Sequence, residues 1–144
     1  MKLIIFLVFT LVTISNSYCQ PKHTIEVMVT NIVDIQGTIY LGLYDNSDSF
    51  KNKTMAIDSV IITPNSDKIK IKLENVESGE YAIAIYQDIN NNGKLDTGKL
   101  KIPQEPVGIS NHSNLKRIGI PTYDKAKIKI NGDTTVSIPL ISKK

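Results

Sequence analysis

The sequence predicts an all-β fold, an antiparallel β-sandwich of about seven strands with Greek-key connections. Three observations carry this. Apolar residues recur with a period of two along most of the chain. Short clusters of Gly, Pro, Asn, Asp and Ser separate the alternating runs, and no window holds apolar residues at helical spacing over three turns. Many short strands punctuated in this way match a sandwich of immunoglobulin-like or transthyretin-like kind.

The elements follow in order. His23 to Val33 alternates partly, through Ile25, Val27 and Val29. Thr38 to Tyr44 sets Ile39, Leu41 and Leu43 on one face and Tyr40, Gly42 and Tyr44 on the other. A weaker strand is predicted over Ala56 to Ile62. Lys68 to Leu73 alternates Lys with Ile or Leu, one wet face and one buried face. Tyr81 to Tyr86 is apolar on both faces, as a central strand should be. Lys125 to Ile130 repeats the wet-and-dry pattern with Ala126, Ile128 and Ile130 inward, and Thr134 to Ile141 closes the chain. Asn131-Gly132-Asp133, lying between the last two runs, predicts a hairpin. Lys68, Lys70, Lys72, Lys125, Lys127 and Lys129 read as solvated faces that discourage edge-to-edge pairing.

The ends bound the compartment. Residues 1–20, MKLIIFLVFTLVTISNSYCQ, place Lys2 before an apolar core from Leu3 to Ile14, with Ser17 and Cys19 forming a small-x-small site. This is the pattern of a signal peptide cleaved after Cys19, which leaves residues 20–144 as one domain. The competing reading, a lipoprotein anchored at Cys19, is disfavoured because Asn16, Ser17 and Tyr18 make a poor lipobox. The apolar core is shorter than the ~20 residues a membrane-crossing helix needs. Cys19 is the only cysteine, so no disulfide is expected. The predicted location is secreted, periplasmic or cell-surface. Losing Lys2 lowers the basic count from 17 to 16, against 14 acids. That balance, without interleaved basic and aromatic residues, excludes a nucleic-acid surface. A monomer is expected, with an unidentified protein or glycan as partner.

Asp88 to Tyr123 breaks the alternation, holds Pro103, Pro106 and Pro121, and shows no clear strand. A loop this long in a compact domain needs something to order it. Its first nine residues, DINNNGKLD, suggest what. Calcium takes about six to eight oxygen ligands, and alternate side chains of a tight loop supply them. Asp88, Asn90 and Asn92 occupy positions one, three and five, Gly93 sits at the bend, Lys94 offers its carbonyl, and Asp96 takes the ninth position. The twelfth is Lys99 where a bidentate Glu belongs, so Glu105 is the first choice to complete the shell, ahead of Gln104. Lys94, Lys99 and Lys101 weaken the local potential, and the affinity expected is the ~10⁻⁴ to 10⁻³ M of extracellular modules. With no His or Cys in the cluster, calcium is favoured over a transition metal.

The stretch GEYAIAIYQDINNNGKLDTGKLKIPQEPVGISN, Gly79 to Asn111, resembles the signature of a bacterial family of secreted domains of unknown function, numbered 2141. The family shows a G-x-Y-A-I strand, a D-x-N-x-N-G-x-L-D loop, then I-P-x-E and G-x-S-N. Weaker similarity covers NIVDIQGTIYLGLYD and PTYDKAKIKI. The chain departs at Gln87, where His is common, and at Leu100-Lys101, where Phe-Gly is common. The resemblance implies a single β-sandwich outside the cytoplasm and implies no enzyme.

Other candidates are weaker. Ser110, Asn111 and His112 adjoin, but neighbours in sequence rarely adopt triad geometry and no G-x-S-x-G elbow precedes the serine. His23 reads as an exposed terminal residue. Asp45, Asn46, Ser47 and Asp48 read as a turn with Asx hydrogen bonds, able at most to lend an oxygen to a cation. Tyr40, Tyr44 and Tyr86 form an aromatic platform for sugar if they share an exposed face. The expectation is a non-enzymatic binding or structural module with a calcium-stabilised loop; the rivals are a carbohydrate-binding module and a calcium-assisted hydrolase.

Overall fold

The computed structural model describes residues 21–99, 102–112 and 120–142. The expected export segment with Cys19, and Leu100-Lys101, lie outside the described residues. Eight strands and two short helices follow one another: β1 (Lys22–Thr30), β2 (Thr38–Tyr44), α1 (Ser47–Asn52), β3 (Asp58–Ile62), β4 (Ile69–Glu77), β5 (Gly79–Asp88), β6 (Val107–Ile109), α2 (Tyr123–Ala126), β7 (Ile128–Ile130) and β8 (Thr134–Pro139). No helix among the described residues is long and apolar enough to cross a membrane.

The strands form two facing sheets. One runs β4-β1-β8; the other runs β3-β2-β5-β6, with β7 beside β5. Alternation decides which residues meet between them. Ile25, Val27 and Val29 of β1, with Ile71, Leu73 and Ile138, face Ile39, Leu41, Leu43, Ile83 and Ile85 in a single core. β4 returns to lie beside β1, the Greek-key step. Asn75 supplies an extra residue at φ 61, where the β1–β4 register shifts between His23 and Ile25. That bulge moves the next buried residue of β4 from Leu73 to Val76.

Five features differ from the sequence expectations. The sandwich is not purely antiparallel, because β8 runs parallel to β1 from Ile25↔Thr134 to Thr30↔Pro139. Asn131-Gly132-Asp133 is no hairpin: β7 pairs with β5 and β8 with β1, so the turn crosses between sheets. A two-residue hairpin turn needs positive φ in its centre, and neither Asn131 nor Gly132 has it. Asp133 Oδ1 instead accepts from Thr24 N at 2.8 Å, which pins the turn to the start of β1.

The expected strand over Lys125–Ile130 divides. Its first half belongs to α2, where the amides of Lys125 and Ala126 both donate to the Thr122 carbonyl. The Tyr123 hydroxyl lies 2.9 Å from the Asp45 carbonyl and 2.7 Å from that of Glu80 and shares its one proton between them, a tertiary tie that outweighs a local strand preference. The loop read from Asp88 to Tyr123 also contains a strand, β6, which pairs with Ala84–Tyr86. With the segment expected over Ala56–Ile62 present as β3 (Asp58–Ile62), the described residues hold eight strands, in line with the sandwich of about seven that the sequence predicts.

The polar cluster at residues 45–48 is a helix start, not merely a turn. Asn46 caps α1, its side chain accepting from Ser49 N at 2.9 Å. The helix seats Phe50 on the outer face of the larger sheet, beside Tyr44, Ala82, Ile109 and Ala126. Lys53 ends the helix at φ 54, folds its ammonium over the Phe50 ring at 3.6 Å and donates to the Phe50 carbonyl. Burial lowers its pKa to about 8. An unfolded lysine titrates near ~10.4, so between these values the unfolded chain holds a proton that the folded one has released, and stability rises with pH. Wild type should therefore gain stability relative to Lys53→Met as pH is raised from about 8 to 10, measured as the difference between two urea-denaturation series.

Candidate metal site

The site is built where β5 ends. Tyr86 and Asp88 point outward from the larger sheet while Gln87 points into the sandwich, where it is fully buried. Gln87 Nε2 donates to the carbonyls of Asp34 (2.6 Å) and Gln36 (2.9 Å), and its backbone N–H donates to Pro106 O at 2.9 Å. The end of β5 is thus fastened to the β1–β2 connection and to the segment entering β6.

Asp88 is also fully buried. One carboxylate oxygen accepts from Asn92 N at 3.1 Å and the other from Gly93 N at 2.7 Å. A buried carboxylate is costly unless it gathers charge-assisted hydrogen bonds, and here it does so by folding the chain back onto itself. Asn91 (φ 56) and Gly93 (φ 80) adopt the left-handed backbone that the bend demands. Asn90 Oδ1 accepts from Asn92 N at 3.1 Å and Asn92 Oδ1 from Lys94 N at 3.0 Å, two successive Asx turns.

These turns bring Asp96 back against the asparagines. Asn90 Nδ2 donates to Asp96 Oδ2 at 2.7 Å, and Asn92 Nδ2 lies 3.1 Å from both Asp96 oxygens. Glu105, 6 % exposed, closes the loop from the far side: Oε1 accepts from Ile89 N at 2.9 Å and Oε2 from Asp96 N at 3.0 Å. Gln104 N donates to Asp96 O at 2.8 Å.

The structure therefore gathers Asp88, Asn90, Asn92 and Asp96 around one bend, with Glu105 against its backbone. Lys94 enters through its amide, and its side chain is exposed. Among the described residues no group of three or more His, Cys, Asp or Glu is set to hold a metal. What assembles is a set of carboxylates and side-chain amides in which the Asn90 and Asn92 Nδ2 groups face Asp96 while their oxygens accept backbone N–H bonds; carboxylate and amide oxygens are the donor types suited to a hard cation. Above it, the Tyr86 hydroxyl is pushed up to about 12 by burial, then by the charges of Tyr40, Asp88 and Glu105.

Two supports were missed in the sequence. Gly37 (φ 72) lies so close to the loop that a Cβ there would fall 2.1 Å from Asp88 O. Thr38 Oγ1 donates to Asn91 Oδ1 at 2.8 Å. The Gln36-Gly37 pair reads only as a turn, and nothing local says that the turn must admit the distant Asp88 backbone.

The other candidates also find places. Ser110 is buried, its hydroxyl donating to Ala126 O at 2.7 Å and accepting from Ile83 N at 2.8 Å, so it joins β5 to α2. His23 is half-buried, with Nε2 2.9 Å from Ser78 Oγ. Tyr40, Tyr44 and Tyr86 do share the outer face. Tyr40 and Tyr86, cross-strand partners, stack on each other with centroids 4.8 Å apart, and Tyr44 packs edge-on to Phe50.

A family model described as an uncharacterized protein conserved in bacteria (DUF2141) matches residues 27–138. The chain belongs to that family. The match takes in β2, the Asp88–Asp96 bend, Glu105 and most of β8, so the loop geometry lies wholly within the DUF2141 domain. No curated protein and no solved structure matches the chain.

Replacing Glu105 with Gln sets an amide NH₂ against one of two backbone N–H groups, and should cost about 1–3 kcal/mol. Gly37→Ala, which meets both the positive φ and the Asp88 carbonyl, should cost at least ~2 kcal/mol. Urea denaturation with an unchanged m-value checks both.

Proposed function

We propose that this DUF2141 chain is an exported, non-enzymatic β-sandwich module whose Asp88–Glu105 loop is stabilised by one calcium ion. The observation that carries the reading is the bend itself: a buried Asp88 carboxylate holds the amides of Asn92 and Gly93, and this turns Asn90, Asn92 and Asp96 towards one another. The Asn90 and Asn92 Nδ2 groups donate to Asp96 here, so taking up calcium would require both amides to turn their oxygens towards the ion. Asp88, Asn90, Asn92, Asp96, the Lys94 carbonyl and Glu105 are the ligands proposed. Export rests on the signal-peptide pattern of residues 1–19, with cleavage after Cys19 in preference to lipid anchoring there. An extracellular setting suits a weak site, because calcium outside cells is plentiful.

A hydrolase finds less support, since the Ser110 hydroxyl is committed to backbone partners. The sugar platform also finds less, since stacking Tyr40 on Tyr86 takes one face of each ring away from a ligand.

The test is a thermal melt of the purified protein with calcium, with magnesium, and with neither. At about 2 mM calcium and a dissociation constant near ~0.1 mM, linkage adds roughly 1.8 kcal/mol. For a domain of this size that raises Tm by on the order of 5–10 °C. Magnesium, which demands tighter octahedral geometry, should shift it far less. Asp96→Asn should retain the fold and lose most of the calcium response. A transition that neither ion moves overturns the metal reading.

A further inference from the structure

The outer face of the larger sheet carries a groove of about 370 Å³, at the lower end of the ~300–1,000 Å³ of small-molecule sites. Its floor is formed by small residues in register, Gly42 opposite Ala84. The stacked Tyr40–Tyr86 pair stands at one end. At the other, the Tyr44 ring lies over Gly42, where a Cβ would meet its hydroxyl at 2.7 Å, and Lys53 closes the groove from the end of α1. Leu95, carried by the loop, forms part of the wall.

The lining is apolar or aromatic except for Ser59 and one charge. Lys53 is the only charged side chain among the described residues that line the groove, and among those residues no carboxylate pairs with it. Its ammonium has three donors and spends one on the Phe50 carbonyl. An apolar channel ending at a cation with spare donors is complementary to one ligand shape: a slender apolar chain with an anionic end.

The geometry points to a binding site for a free single-chain carboxylate of fatty-acid type, its tail along Ala84 between the tyrosines and its carboxylate on the Lys53 ammonium. The partly desolvated position of Lys53 strengthens such a pair, because charge–charge attraction grows as water is excluded. The site uses neither Asp88 nor Asp96, and it stands whether or not the loop takes calcium.

Isothermal titration in EDTA tests it, with decanoate, decanol and decyltrimethylammonium as probes. EDTA removes calcium, so binding is measured with the metal site empty and needs no bridging ion. Decanoate should bind, and decyltrimethylammonium should bind at least about tenfold more weakly, as loss of a charge-assisted hydrogen bond implies. Lys53→Met should weaken decanoate about tenfold while leaving decanol unchanged. Ala84→Leu, which fills the floor, should abolish binding of both. No binding of decanoate, equal binding of the two charged probes, or an unchanged affinity in a folded Lys53→Met protein overturns the proposal.

Discussion

Two buried carboxylates hold the least regular part of this molecule in place. Asp88 and Glu105 between them accept from the backbone amides of Ile89, Asn92, Gly93 and Asp96. A segment too broken by glycine and asparagine to pair as sheet thus has its donors satisfied from within. Charged acceptors are the stronger partners for a backbone amide, and burial makes the alternative, an unmet donor, expensive. Because Gln87 binds Asp34, Gln36 and Pro106 in the same region, the bend, the β1–β2 connection and the entry to β6 are parts of one hydrogen-bonded unit.

This arrangement explains why irregular backbone sits beside regular sheet without an intervening linker. β5 delivers Asp88 to the outer face and Gln87 to the inner one by simple alternation, so a single strand end serves the bend on one side and the sandwich interior on the other. Proximity of Tyr86 to Asp88 follows from the same period of two. The phenol and the bend share an electrostatic environment, and the outer groove and the loop meet at Leu95.

What could be read from the sequence was what depends on neighbours a few residues apart. The alternation of Ile25, Val27 and Val29, or of Ile69, Ile71 and Leu73, identifies strands and their buried faces because burial repeats every second residue. The Asp-Asn-Asn-Gly-Asp spacing marks the bend for a similar reason, since Asx turns act over two residues. Distant partners left no such trace. Val107-Gly108-Ile109 is too short to show a period, and it becomes a strand because Tyr86 and Ala84 offer it an edge. Ala126, Ile128 and Ile130 alternate convincingly, yet the carbonyls of Asp45 and Glu80 capture Tyr123 and wind the first of the three into a helical turn. Glu105 is legible as an acid near the loop. Its hold on Ile89 and Asp96 through their amides appears only in three dimensions.

The parallel pairing of β1 with β8 joins residues 109 positions apart in sequence, from Ile25↔Thr134 onward. β1 is the middle strand of its sheet, so its second neighbour does not exist until the chain has been made through Pro139. At the ~5–20 residues per second of synthesis, one side of β1 stays bare for roughly 5–20 s. Closing so long a loop is entropically demanding, and topologies dominated by distant contacts fold in milliseconds to seconds instead of microseconds. The smaller sheet is therefore completed only after β8 has been made, and acquisition of protease resistance is timed by the meeting of β1 with β8.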